Sequence, residues 1–404
     1  MLKYFRSRSF GYVIGFALAA PLALLVWLCV GIINFFHPVY IVRLSHKGRI
    51  STYMLPMELH LRNANQTNKK YTMIFVMPAA TPNEAVRTLY RRYALIIDSH
   101  FPKIIRSAFS MVSVLLKRRY TPELLGVHLL WSMKPATALN EIELNFGKSL
   151  MLKLGIPDGK PYVCLGVKEA AYYASIIKES GYGQDMSHQA KGSRNVEITN
   201  YMLAATHLAN LGIYVVRVGS VVNAPLPKDR HKLIIDYATE ARSELGDVVL
   251  GANCKFFICG CAASFIFAGA QNRPIAYMDY YFEQDNSSPT MRVGQLPFSI
   301  VIIRMYKDRN NNFLNFRSII EYNKFLTDET LKSLGITPYP NTPTEILETV
   351  IELNCRIDGT YSEQVDEELF QDKYYNWFIP PFPWRDYPLM RVASSFLRKY
   401  SDLL

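Results

Sequence analysis

The segment most informative about the fold is Pro161-Tyr-Val-Cys-Leu-Gly-Val-Lys-Glu169. Its apolar residues follow one another without alternation, which is typical of a strand buried on both faces of a parallel sheet. Two later runs, Leu211–Ser220 and Lys255–Ser264, repeat the pattern and end in glycine and small residues. Because ligands bind beyond the carboxyl ends of the strands in open α/β sheets, the residues just after each run are the candidate functional positions.

Helix-compatible segments separate these runs. They are Asn195–Ala209, a segment near Ile234–Ser243, and Ala262–Ala270, while Pro274–Asp279 has the composition of another strand. This alternation predicts right-handed βαβ units and a Rossmann-like sheet. We therefore assign residues 156–375 to one α/β domain.

The first half of the chain predicts a smaller α/β domain over residues 41–155. Lys70–Pro78 has the composition of a buried strand, and Asn83–Ser99 carries apolar residues at helical spacing. Residues 376–404 form a Trp- and Pro-rich tail that ends in a helix. This tail either returns to a membrane surface, which tryptophan favours, or packs between the domains.

No charged residue lies between Gly11 and Phe36. Since about 20 apolar residues cross a bilayer as a helix, residues 1–40 are predicted to be a membrane anchor. Pro21 near its middle can kink the helix. The segment has basic residues on both flanks, so a spanning anchor and a re-entrant helix with both ends cytoplasmic both stay open. These flanking residues are Lys3, Arg6 and Arg8 before it, and Arg43, Lys47 and Arg49 after it.

The composition narrows the partners. The chain of 404 residues has a net charge of +11, which favours phosphate-bearing ligands or an anionic membrane, or reflects a generic basic surface. Nucleic acid is not expected, because no basic block is interleaved with aromatic residues in an RNP-type pattern. The six cysteines lie mostly in apolar runs without C-x-x-C spacing, which favours buried thiols in a reducing compartment.

Candidate chemistry follows the strand ends. The small residues of Gly260-Cys-Ala-Ala-Ser264 either admit a phosphate at a helix N-terminus or merely allow close strand–helix packing. Lys168 and Glu169 provide either a cation for a diphosphate and a carboxylate base, or a surface ion pair. Arg194 and Arg217 are further basic residues near this edge. The sequence has no dinucleotide or Walker fingerprint and no D-x-D element, so we expect a site without metal.

Several of these segments resemble a family of bacterial glycosyltransferases known mainly from envelope-polysaccharide gene clusters, over nearly the whole chain. The family's V-C-L-H-V-R-D strand is similar to Val163–Glu169, and its R-N-A-D-I-x-N-Y segment is similar to Arg194–Tyr201. Its V-V-R-M-G strand resembles Val215–Gly219. Near the amino terminus, an R-I-G-H-L turn and a P-E-L-Y-L-R helix resemble Arg49–Met54 and Pro56–Arg62.

The chain departs from this family mainly at its histidines. Ser51-Thr52 stands in place of Gly-His, Gly166 in place of the strand-end histidine, and Lys168-Glu169 in place of Arg-Asp. The family's G-T-N-S-G turn is altered to Gly260–Ser264. Either Glu169 takes over the general-base role, or the substrate has changed, or the activity has been lost.

The resemblance implies a GT-B-like α/β fold with two Rossmann-like domains and an N-terminal membrane helix. Residues 41–155 would hold the acceptor and residues 156–375 the nucleotide-sugar donor. The implied activity is a glycosyltransferase at the bacterial inner membrane, with its catalytic domains on the cytoplasmic face, acting without metal or cofactor. Its acceptor would be a cell-envelope glycan or a lipid-linked molecule.

In this scheme Glu169 is the catalytic base, and Arg49, Ser51 and Thr52 lie on the acceptor side. The donor would be bound by Lys168, Arg194, Asn195, Arg217, Gly219, Ser220, Gly260, Cys261, Ala262, Ala263 and Ser264. Two alternatives stay open. One is a degenerate, non-catalytic member that acts as a scaffold in polysaccharide assembly, and the other is a different Rossmann-type enzyme that modifies sugar nucleotides.

Overall fold

The chain is divided into two compact units, Met1–Ala138 and Leu139–Leu404. The computed structural model describes residues 10–44, 50–66, 69–77, 81–120, 127–172, 174–175, 195–280, 297–322, 328–377 and 384–404. The second unit begins earlier than the boundary at 155/156 that the sequence predicts, so it takes in the helix Glu141–Lys153.

Three parallel strands form the sheet of the first unit, in the order β1-β2-β3. They are β1 (Val39–Arg43), β2 (Thr72–Val76) and β3 (Leu95–Ile97). The five helices among its described residues are α1 (Phe10–Ile33), α2 (Ile50–Asn65), α3 (Glu84–Tyr90), α4 (Lys103–Tyr120) and α5 (Val127–Ser132).

Two predictions for this unit have different outcomes. The strand expected within Lys70–Pro78 is confirmed as β2. The helix that the spacing over Asn83–Ser99 predicts is wrong for the second half of that segment, because the helix ends at Tyr90 and β3 follows. Ile96 and Ile97 are buried beside β2, and β-branched residues in such a position favour a strand.

The first helix, α1, is part of the core of the first unit. Its Ala19, Ala23 and Val30 are buried in one apolar cluster with residues of β1, β2 and α4. Over the part of the chain that the structure describes, no helix is both long enough and apolar enough to cross a membrane.

Seven parallel strands form the sheet of the second unit, in the order β12-β9-β8-β7-β4-β5-β6. Their bounds are β4 (Tyr162–Val167), β5 (Tyr214–Val218), β6 (Ile234–Ile235), β7 (Phe257–Gly260), β8 (Ile275–Tyr280), β9 (Ser299–Ile303) and β12 (Arg391–Val392). The chain runs outward from β4 to β6 and then returns to build the other half from β7. This is a doubly wound order, so the Rossmann-like sheet predicted for this region is confirmed, and the order reverses between β4 and β7.

Helices cover this sheet, and a separate antiparallel pair is formed by β10 (Met305–Lys307) and β11 (Thr337–Tyr339). The helices are α6 (Glu141–Lys153), α7 (Met202–Asn210), α8 (Tyr237–Glu240), α9 (Glu244–Asn253), α10 (Phe265–Gly269), α11 (Phe316–Tyr322), α12 (Asp328–Leu334), α13 (Pro343–Ile357), α14 (Glu367–Tyr375) and α15 (Ser394–Lys399). The helix predicted over Asn195–Ala209 is confirmed as a 3-10 turn, Ile198–Tyr201, followed by α7.

The helix predicted near Ile234–Ser243 is wrong. Ile234 and Ile235 pair with β5 as the edge strand β6, and the helix that follows has only four residues, Tyr237–Glu240. Both isoleucines are buried against the neighbouring strand, and that tertiary contact outweighs the local helical pattern.

The described part of the carboxyl-terminal tail, 384–404, belongs to the second unit. Val392 lies in β12, where its carbonyl accepts a hydrogen bond of 2.6 Å from the side chain of Gln371. Trp384 is buried and stacks on Tyr375, with the ring centroids 6.1 Å apart. Trp384 therefore contributes to the packing of this unit rather than to an exposed aromatic surface.

Candidate functional site

The reversal of strand order brings two of the predicted segments together. Lys168 follows β4 directly, and its backbone N–H donates to the carbonyl of Gly260, the last residue of β7, at 2.9 Å. Val167 and Cys261 form an isolated bridge at the same level. Lys168, Glu169 and the turn Gly260–Ser264 thus meet at the carboxyl edge of the sheet, where open α/β sheets bind ligands.

The turn Gly260–Ser264 is shaped by close packing. A Cβ on Gly260 would lie 2.5 Å from the hydroxyl of Tyr201, so only glycine fits there. Cys261 is buried with φ of 53°, a left-handed conformation that is uncommon for a residue with a side chain. Its thiol donates to the carbonyl of Asp279 at 3.0 Å. Backbone strain of this kind often lies at functional sites.

Position 166 has no room for a side chain. A Cβ at this position would lie 2.6 Å from the Ser264 hydroxyl and 2.7 Å from the ring of Phe257. Ser264 therefore lies where a histidine side chain at position 166 would begin. A side chain at position 166 and the Ser264 hydroxyl in its present place thus exclude each other sterically.

The helix after this turn is shorter than the sequence predicts. The prediction spans Ala262–Ala270, whereas α10 has only five residues, Phe265–Gly269, and the Ser264 side chain makes no capping hydrogen bond. A helix dipole acts chiefly through a well-formed first turn, so the backbone of the turn itself is the better candidate for contacting a phosphate.

Glu169, Arg217 and Asp236 form a buried ion triad. The Nη2 of Arg217 lies 2.7 Å from Oε2 of Glu169, and its Nη1 lies 3.3 Å from both carboxylate oxygens of Asp236. Backbone N–H groups complete the site, from Asn223 to Glu169 at 3.3 Å and from Leu226 to Asp236 at 2.7 Å. The single guanidinium of Arg217 faces two carboxylates, and these contacts hold the loop after β5 against β4.

A second buried cluster lies further along the same edge, at the ends of β8 and β9. Asp279 has φ of 53°, and its carboxylate accepts from Arg304 at 3.0 Å and from the N–H of Asn341 at 3.0 Å. The N–H of Asp279 donates in turn to the Asn341 side chain at 2.6 Å. Sequence reasoning did not single out these three residues as site residues, although Arg304 follows an apolar strand as Lys168 does.

The other predicted donor residues are placed near the same edge, except Arg194, which lies outside the described residues. Gly219 is half-buried and Ser220 exposed, and both follow β5. Asn195 is half-buried, and the N–H of the next residue, Val196, donates to the carbonyl of Lys168 at 3.2 Å. In the turn, Ala262 is buried and Ala263 half-buried.

The predicted acceptor-side residues belong to the first unit. Ser51 is buried and Thr52 half-buried in the first turn of α2, while Arg49 lies outside the described residues. Further along α2, Arg62 and Glu58 form a buried ion pair at 2.8 Å. Arg62 also donates to the carbonyl of Trp131 at 3.1 Å, so this family-like helix fastens α5 to the unit.

Titratable groups near these clusters are shifted chiefly by burial. Burial raises the pKa of the Cys259 thiol and of the Tyr201 hydroxyl, so both stay protonated at neutral pH. In the first unit, burial lowers the pKa of His60 to about 4. Among the described residues, no group of three or more His, Cys, Asp or Glu is arranged to hold a metal ion.

Comparisons with known proteins give only remote likenesses. No family model and no curated protein matches the sequence. Three solved structures are similar at TM-scores of 0.43, 0.37 and 0.30, too low for an argument about function.

The first of these structures, E. coli ADP-heptose LPS heptosyltransferase II, is 14% identical, and the match covers 80% of this chain and 99% of that chain. A glycosyl transferase family 9 protein from Veillonella parvula is 9% identical, with coverages of 66% and 86%. The dodecameric iron-containing heptosyltransferase TibC of enterotoxigenic E. coli, solved with ADP-D-beta-D-heptose, is 14% identical, with coverages of 65% and 62%.

Proposed function

We propose that the chain is a GT-B-like glycosyltransferase that binds a nucleotide-sugar donor at the carboxyl edge of the second unit. The observation that carries the proposal is the backbone hydrogen bond from Lys168 to Gly260 at the reversal of strand order, because it brings the residue that follows β4 beside a small-residue turn at the position where such sheets bind nucleotides. The acceptor would be a cell-envelope glycan or a lipid-linked molecule. The protein would reach it at the cytoplasmic face of the bacterial inner membrane, to which the apolar helix α1 would attach the chain.

Within this proposal, Lys168 is the point charge for the diphosphate, and the turn Gly260–Ser264 offers backbone N–H groups. A fixed cation stabilises the charge that develops on the leaving diphosphate and does so without a metal ion or a cofactor. The sequence predicts that Arg217 contacts phosphate. We propose instead that Arg217 positions the site, because two carboxylates already neutralise its charge. It holds the loop that carries Gly219 and Ser220.

Glu169 remains the proposed base, although Arg217 and the N–H of Asn223 both donate to its carboxylate. To accept a proton from the acceptor, Glu169 would have to exchange one of these partners during the reaction. This arrangement favours a second candidate function. In it the protein binds the donor nucleotide without transferring its sugar and acts as a scaffold.

The donor site is tested by the thermal stability of the purified full chain with UDP, GDP, ADP, CMP and their sugar conjugates. A nucleotide at about 100 times its Kd should stabilise the protein by about 2.7 kcal/mol. Lys168→Ala should abolish that shift. The matched control is Lys160→Ala, since Lys160 is exposed and precedes the same strand at its opposite end. Equal shifts in both variants, or none with any nucleotide, would contradict the proposed donor site.

Transfer and scaffold are separated by a second measurement on the same preparation. With the stabilising sugar nucleotide and envelope lipid extract, a transferase releases the nucleotide of its donor (UDP, GDP, ADP or CMP), and Glu169→Gln should stop the release while keeping the thermal shift. If the wild-type protein binds the donor and releases none, the scaffold is the correct function.

A further inference from the structure

The helix α1 has two apolar faces with different surroundings. Ala19, Ala23 and Val30 lie in the core of the first unit, in one cluster with Ile41 of β1 and Ala108 of α4, among other residues. Positions seven apart on the opposite side, Leu18, Leu25 and Ile32, are 64%, 57% and 65% exposed. Since a helix turns about 100° per residue, these three residues share one face over about 21 Å.

The exposed face of α1 continues beyond the helix. Phe35 and Phe36, in the turn before β1, are 88% and 90% exposed. Not one charged residue interrupts the sequence from Gly11 to Phe36. A continuous apolar surface of this kind marks a site of interaction with a partner or a membrane, whereas scattered exposed apolar residues do not.

Exposed basic residues lie on two elements that share a core with α1. Arg43 at the end of β1 and Lys103 at the start of α4 are exposed, and both elements contribute residues to the apolar cluster that includes α1. In the sequence, Lys3, Arg6 and Arg8 precede the helix. Exposed basic residues on elements that share a core with an apolar helix complement an anionic lipid surface, which offers phosphate groups above acyl chains.

We propose that α1 lies flat in the surface of an anionic bilayer, as a membrane-docking face of the first unit. This inference rests on the membrane association in the proposed function and specifies its geometry. The face Ala19–Ala23–Val30 is held by the core of the unit, so the helix cannot stand across the bilayer without leaving that core. The face Leu18–Leu25–Ile32 enters the lipid, with Phe35 and Phe36 beside it.

The geometry is tested by the depth of spin labels in vesicles that contain phosphatidylglycerol. Cys29 is exposed and Cys355 half-buried, whereas the other four cysteines are buried, so Cys29→Ser with Cys355→Ser leaves a background for single labels at Leu18→Cys, Leu25→Cys and Ile32→Cys. A flat helix gives the same shallow depth at all three positions. A spanning helix gives its greatest depth near Leu25 and shallow positions at both ends, and that result would overturn the proposal.

Vesicle flotation of the full chain tests the docking face itself. Leu25→Glu with Ile32→Glu should reduce the vesicle-bound fraction at least tenfold. The matched control is Leu369→Glu, an exposed leucine on helix α14 of the second unit, which should float like the wild type. Unchanged flotation of the double variant, or self-association through α1 without binding to vesicles, would overturn the proposal. The nucleotide-induced thermal shift, measured on the same proteins without vesicles, reports separately on the donor site.

Discussion

The two units depart in opposite ways from the usual distribution of polar and apolar residues. At the carboxyl edge of the second unit, Glu169, Arg217 and Asp236 are charged and buried. Along α1 of the first unit, Leu18 and Ile32 are apolar and exposed. Buried charges and exposed apolar surfaces are the informative exceptions in a folded protein.

The difference between these regions lies in where the partners are. Each charged group of the ion triad finds its partner inside the protein, so the triad acts on the geometry of the edge. Within the part of the chain that the structure describes, Leu18, Leu25 and Ile32 of α1 stay exposed, so the partner of this face is sought outside the chain. One region positions a site, and the other presents a surface.

The largest effect is expected for Arg217→Met. Removing the guanidinium leaves two carboxylates buried without their cation, which should lower the free energy of unfolding by about 3–5 kcal/mol. Urea denaturation measures the loss. The matched control is Arg385→Met, because Arg385 is exposed and pairs with Glu368 at 2.8 Å and with Asp372 at the surface, where ion pairs add little to stability. Equal losses in the two variants would mean that the burial of the triad is unimportant.

The free energy of unfolding of the first unit should vary with pH because of His60. Burial lowers the pKa of His60 from 6.5 to about 4, so between these values the unfolded chain binds the proton and the folded chain does not. Stability is therefore complete above pH 6.5 and falls as the pH falls towards 4, by about 3 kcal/mol in all for this group. Urea midpoints of the wild type and His60→Gln across this range should converge at low pH, and parallel curves would contradict the assignment.

A smaller loss is expected for Gly260→Ala. The added Cβ would meet the hydroxyl of Tyr201 at 2.5 Å, and overpacking of this kind costs about 1–3 kcal/mol. Thermal unfolding measures the loss, and the nucleotide shift should weaken because the turn is displaced. Adding Tyr201→Leu should recover part of the stability if the clash is the cause, and no recovery would point to another origin.

The smallest effect is expected for Gly31→Ala, near the end of α1, and it should be a gain in stability. No atom lies within 4 Å of a Cβ placed there, so Gly31→Ala meets no clash. Alanine is favoured over glycine inside a helix by roughly 0.5–1 kcal/mol. A small rise in the denaturation midpoint is the expected result. A loss would show that a contact closes this side of the helix, which would weaken the comparison between the two regions.

Local patterns were enough to predict much of the second unit. The unalternated runs that became β4, β5 and β7 are recognisable in the sequence, because burial on both faces requires consecutive apolar residues. The rule that ligand groups follow such strands selected Lys168 and Gly260–Ser264, which the structure brings together. The two-residue strands β6 and β12 were missed, since pairing with a neighbour defines them and their own residues give little signal.

The apolar strands, the uncharged length of α1 and the residues at each strand end follow from the sequence alone, because they depend on neighbours along the chain. Three other features became known only from the fold: Arg217 faces Glu169 and Asp236, Gly166 makes room for Ser264, and one face of α1 enters a core. The physical reason is that a charge or a helix face acquires its role from groups brought near it by the order of the strands.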